Sequence, residues 1–157
     1  MLQFHVVLSL IAMVSGFVML YGLLTAKPSG SWTMLFLATT ALTSITGFAL
    51  PPFVFDPPRV LGTISLVLLI VAAAALYVFH LAGAWRLTYI GTAVAALYLN
   101  VFVGVVQAFQ KVPFLASLAP TQSEPPFVIA QLAVLAIFIA LGVLASRRLH
   151  PEFKARS

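Results

Sequence analysis

The sequence predicts an all-α integral membrane protein, a bundle of five transmembrane helices in a single domain spanning residues 1–157. Three observations predict it. The chain is 62% hydrophobic and 7% charged, where a soluble domain is about 45–50% apolar and about 25% charged. Its apolar residues fall into five long runs, each near or above the ~20 residues that cross a hydrocarbon core. Proline-rich punctuation separates these runs, and proline lacks the amide hydrogen that a continuing helix needs. Backbone polar groups in lipid must be satisfied within the segment, so runs of this length are helices.

The first run, Leu2 to Ala26, closes on Lys27-Pro28-Ser29-Gly30. It lacks a positive start and exceeds a leader's apolar stretch of about 7–15 residues, so it reads as a span rather than a cleaved signal. The second, Trp32 to Leu50, is the shortest and most polar, holding Thr39, Thr40, Thr43, Ser44 and Thr46 before Pro51-Pro52. Its hydroxyls can bond to carbonyls of the preceding turn, which keeps a span tenable. The third runs from Arg59 to Leu81, the fourth from Ala84 to Lys111 and the fifth from Phe127 to Ser146. Two connectors are long, Pro51–Pro58 and Val112–Pro126, and both are rich in proline.

Charge sets the expected orientation. Lys27, Arg86, Arg147, Arg148, Lys154 and Arg156 follow odd-numbered runs, against Arg59 and Lys111 after even-numbered ones. The positive-inside rule then places the N-terminus outside and the C-terminus in the cytoplasm, with the two long connectors facing outward, into the periplasm where the membrane is a bacterial inner one. Trp32 and Trp85 fall at the cytoplasmic interface, where an aromatic belt belongs. The net charge of +5 is therefore a matter of topology, and nucleic acid is not an expected partner.

Small residues that let membrane helices approach, such as Ser9, Ala12, Gly16, Thr39, Thr43, Gly47 and the Ala72–Ala75 run, read as packing. Polar side chains within the bilayer are costly unless paired and so carry more information. Asn100, Gly104, Gln107 and Lys111 share one face of the fourth helix, which Tyr89, Ala93 and Ala96 continue. Asn100 either bonds to a neighbouring helix, for instance to a hydroxyl on the second, or forms the wall of a pocket. His5, Asp56, Arg59, Glu124 and Gln131 fall toward the same outer side. The expected ligand-binding set is Asn100, Gln107, Lys111, His5, Gln131 and Glu124, around an outward-facing pocket; the alternative is that the groups near helix ends, Lys111 among them, simply reach water.

The expected occupant is a hydrophobic small molecule with a polar head, a lipid or a quinone, and the expected role is non-enzymatic binding. The alternatives are a structural subunit of a larger membrane complex and an oligomeric transporter or channel. Membrane lipids, a homo-oligomer or a complex partner are the expected associations. No catalytic residue and no metal ligand is assigned: cysteine is absent, phosphate-binding loops and nucleophile elbows do not occur, and no acid lies deep in a helix. The cofactor is open. Haem is not favoured, because His5 and His80 should stand most of a bilayer apart and His150 belongs to the basic tail.

The segments from Asn100 to Pro113 and from Pro120 to Phe127 resemble stretches of small multi-pass bacterial inner-membrane proteins of uncharacterised activity. That resemblance covers the fourth and fifth spans at most. It implies a membrane location and brings no ligand or site residue.

Overall fold

The computed structural model describes residues 1–51, 53, 54 and 56–149. His150, in the basic tail, lies outside them, as do Lys154 and Arg156. The described residues form helices and no strands. They are α1 (Leu2–Leu24), α2 (Gly30–Phe48), α3 (Pro57–Ala73), α4 (Trp85–Lys111), α5 (Pro113–Leu118) and α6 (Pro125–Arg148), with a π-helical turn, Ala74–Val78, closing α3. Four of these, α1, α3 with its π turn, α4 and α6, are long and apolar enough to cross a membrane. The chain is thus an integral membrane protein built as a helical bundle. The second expected span is a helix, but α2 is not among those four.

The helix ends follow from local chemistry. Asp56 caps α3, its carboxylate accepting from the Arg59 amide at 3.3 Å, and Pro57 occupies the first turn, where its missing N–H is harmless. Pro113 starts α5 in the same way, so the long connector expected between the last two spans contains a helical turn of its own. Pro125-Pro126 open α6. Between α1 and α2 the chain doubles back so closely that a Cβ on Gly22 would lie 3.0 Å from the Lys27 carbonyl oxygen. The α3–α4 connection takes left-handed backbone at His80, Leu81 and Gly83. For residues with a Cβ this costs of order 1 kcal/mol each. The Phe79 and Trp85 rings, stacked 4.0 Å apart across the turn, help to offset it.

Successive long helices run antiparallel. α4 is central and packs against α1, α3, α5 and α6, while α2 lies against α1 and α3. The bundle therefore has a Lys111 end, where α1, α3 and α6 begin, and an Arg86 end, where α2 and α4 begin. Each end has an arginine that ties down carbonyls beyond its own helix, Arg59 those of the α2–α3 connector and Arg86 those at the end of α6. Arg59, 9% exposed, donates from Nη2 to Leu50 O and from Nη1 to Val54 O, both at 2.6 Å, and pairs with Asp56 at 3.2 Å. Arg86 Nη1 donates to Ser146 O at 3.0 Å and to Leu149 O, closing the end of α6.

The core sits in one half of the bundle. Met19, Leu20 and Leu23 of α1, Phe36 of α2, Leu69 and Ala72 of α3, Ala75 of the π turn, Tyr89, Ile90, Ala93, Val94, Ala96 and Leu97 of α4 and Phe138 and Ala145 of α6 make one buried cluster. All of it belongs to the Arg86 half. Toward Lys111 the packing thins: 101–106 of α4 are all only half-buried, and among 98–111 Phe109 alone is buried.

Candidate functional site

The boundary between the two halves is made of two layers. Below, Gly16 admits Leu97 and Phe36 so closely that a Cβ there would lie 2.5 Å from Leu97 Cδ1 and 2.9 Å from Phe36 Cδ2. These residues plug the bundle. One turn above, Asn100 Nδ2 donates to Thr40 Oγ1 at 3.0 Å, tying α4 to α2. Thr40 is fully buried. The Asn100 bond is the inter-helix bond to a second-helix hydroxyl that the sequence allows, so Asn100 serves packing between α4 and α2.

The other expected residues spread around that half. His5 Nδ1 lies 2.9 Å from Thr46 Oγ1 and joins α1 to α2, with the ring against Gly47. Gln131 is 8% exposed, and its Nε2 donates to Phe102 O at 3.2 Å, joining α6 to α4. Its Oε1 is buried with no hydrogen-bond partner among the described residues. Gln107 and Lys111 are exposed on the continuation of the Asn100 face. Glu124 is engaged locally: its Oε1 accepts from the Thr121 hydroxyl at 2.7 Å and the Thr121 amide at 3.1 Å, and its Oε2 from the Ser123 amide at 3.1 Å. The Thr121 hydroxyl, chiefly, holds the Glu124 carboxyl below the usual glutamate range. Beside it, Gln122 Nε2 donates to Val106 O at 3.3 Å and Gln122 Oε1 accepts from Gln110 at 3.4 Å, fastening the connector over the end of α4.

The structure thus brings Asn100 together with α2, His5 with α2 and Gln131 with α4. It does not draw the six residues onto one ligand-shaped surface. Neither of two apolar surface grooves involves them. The larger, ≈ 370 Å³, lies between α2 and α3 with Tyr77 at one end; the smaller, ≈ 230 Å³, lies between α1 and α2. His5 and His80 sit at opposite ends of the bundle, and no group of three metal-ligating side chains occurs among the described residues.

Thr40 and Thr46, the α2 partners of Asn100 and His5, are not in the expected set. For Thr40 the signal is in the sequence: Thr33, Thr40, Ser44 and Gly47 recur at helical spacing on one face of α2. Most α2 hydroxyls bond back to their own helix, Thr39 to Leu35 O, Thr43 to Thr39 O and Ser44 to Thr40 O. That pattern relieves their cost in lipid and leaves Thr40 facing Asn100. Compared with known proteins, the chain matches no family model, and neither curated proteins nor solved structures give a match.

Proposed function

We propose that the protein is a non-enzymatic binding protein of the bacterial inner membrane with five transmembrane helices, its N-terminus outside and its C-terminus in the cytoplasm. Its Lys111 half is an outward-facing pocket for one lipid- or quinone-like molecule. The observation that carries this reading is the unequal packing of the two halves. The central helix is only half-buried over 101–106, directly above a half whose interior is plugged and whose grooves lie on the outer α1–α2 and α2–α3 surfaces. Apolar walls with a few polar groups at floor and rim are the usual anatomy of a small-molecule site. On this reading Asn100 sets the floor and Gln107 and Lys111 the mouth along one face of α4, while His5 and Gln131 flank the half from the α1–α2 and α6–α4 contacts, with the Glu124 connector beside it.

Five spans need α2 to cross. Its 19 residues rise about 29 Å at 1.5 Å each, close to the ~30 Å core. Its back-bonded hydroxyls and its position against α1 and α3 reduce the cost of its polarity. Exposed Lys27, Arg147 and Arg148 lie at the Arg86 end, which supports that end as cytoplasmic.

Native mass spectrometry of the full chain released from a mild detergent tests the reading. One equivalent of a small amphiphile should accompany the protein and disappear from Asn100→Leu/Gln107→Leu, which still folds. A bare chain, or a ligand that survives the double substitution, overturns it. A second reading, a subunit of a larger membrane complex, is favoured by α6, which packs on α4 and α1 and exposes Ile129, Leu132, Ile137 and Ile139. It predicts that the chain is monodisperse only together with another protein or a second copy.

A further inference from the structure

The polar groups around the Lys111 half are committed unevenly. Gln131 is more than nine-tenths buried, and its nitrogen already donates to Phe102 O. Its oxygen has no partner. Turning the amide over would set Oε1 against the Phe102 carbonyl, oxygen facing oxygen, so this orientation is fixed by chemistry. His5 follows the same pattern. The Thr46 hydroxyl gives its hydrogen to Leu42 O at 2.8 Å, so toward His5 it can only accept. Nδ1 therefore carries the hydrogen, and Nε2 of the neutral ring is left as an acceptor. Both groups lie within the first turns from the Lys111 end, His5 about 5 Å and Gln131 about 9 Å along their helices. In hydrocarbon no water arrives to satisfy a buried acceptor, so leaving one unmet is costly.

We infer that the molecule held in this half is a hydrogen-bond donor, an amphiphile whose head carries a hydroxyl or N–H group that reaches Gln131 Oε1. The inference rests on the binding reading above and narrows its ligand class. A quinone or an ester offers only acceptors and would leave Gln131 unmet. A hydroquinone, a long-chain alcohol or an amide satisfies it. His5 Nε2, nearer the mouth, takes a second donor where the head has one.

A matched set of probes tests this on the full chain in nanodiscs under anaerobic conditions without added reductant, each probe measured separately in its own redox state: a decyl-substituted hydroquinone, its quinone and its dimethyl ether. They share a tail and differ in whether the head can donate. The hydroquinone should bind roughly tenfold more tightly than the other two, the worth of one hydrogen bond. Gln131→Met, which keeps the shape and removes the acceptor, should erase that preference. The same variant without ligand should melt no lower than the parent, because the orphaned oxygen is gone. Equal affinity for all three probes on the unmodified protein overturns the donor inference and leaves the binding reading standing. Hydroquinone preference that survives in Gln131→Met also overturns it. If none of the three binds, the pocket reading fails and this inference with it.

Discussion

The two halves of the bundle are made by the same helices and differ in side-chain size at their contacts. In the Arg86 half, alanine and glycine stand where helices meet: Ala72, Ala75, Ala93, Ala96 and Ala145 are all at most 1% exposed. Without a hydrophobic force between helices in lipid, such small residues are what lets backbones approach. In the Lys111 half the central helix carries Val101-Phe-Val-Gly-Val-Val106, mostly branched or aromatic, and polar bonds rather than close packing join it to its neighbours. One half is held by contact and the other by a few hydrogen bonds. A protein that must keep its fold while admitting an apolar guest would divide its labour in this way.

Paired glycines give the sharpest way to break that comparison. Gly16→Ala pushes a methyl to 2.5 Å from Leu97 Cδ1 and 2.9 Å from Phe36 Cδ2. In a filled core it should cost about 1–3 kcal/mol. Gly104→Ala, in the loose half, meets the flexible end of Met13 at 3.3 Å. It should change stability by less than about 0.5 kcal/mol, since a surrounding that can give absorbs the methyl. Denaturant titration in mixed micelles compares the two. Equal costs would mean that the halves are packed alike.

Arginine caps come next. Arg86→Met removes the donor that serves Ser146 O and Leu149 O. Charge-assisted hydrogen bonds contribute about 1.5–3 kcal/mol, and partial exposure of this one puts the expected loss near the lower figure. Hydrogen exchange should show the last turn of α6 opening first. Uniform loosening of the whole bundle would argue that Arg86 acts elsewhere than at that helix end.

Asn100→Leu is expected to cost less still in stability, about 0.6 kcal/mol, the average for inter-helix bonds in a membrane. Its effect on ligand retention should be far larger than that. A large loss of stability with unchanged ligand would make Asn100 purely a packing residue.

These contrasts also mark how far the sequence could be read. Five apolar runs became five long helices, with ends displaced by no more than three residues when the π turn is counted with α3, because hydropathy and proline report directly on where a helix can lie. The polar face of α4 was visible from its spacing, and so was an Asn100 bond to a second-helix hydroxyl as one of two readings. Helix α5 is ambiguous in sequence: Pro113 followed by Phe-Leu-Ala-Ser-Leu is a fair helix start, but the same proline ends α4 and reads equally as the opening of a connector. The π turn at Ala74–Val78 had no signal in an alanine run. Arg86 counts as a topology charge in sequence, and its bond to α6 is a contact across 60 residues that only folding reveals. Above all, the division into a tight and a loose half depends on which small residues face one another, and that is a property of helix rotation rather than of composition.

The smallest expected effect belongs to the connector at the mouth. Glu124 holds Thr121 and Ser123 through its carboxylate, and its pKa is depressed because the Thr121 hydroxyl donates to the charged form. A depressed folded value means that these bonds contribute fully above the unfolded carboxyl pKa and are lost as pH falls through the folded one. Acid should therefore release the 121–124 turn below the ordinary glutamate range while neutral and alkaline pH leave it unchanged. Amide exchange at Thr121 and Ser123, corrected for its intrinsic pH dependence, should rise in that window and be high and flat in Glu124→Gln. Because the group is exposed, the melting temperature of the bundle should hardly move. If the whole protein instead loses stability in step with this turn, the mouth is coupled to the packed half, and the independence of the two halves fails at the point where it should be easiest to see.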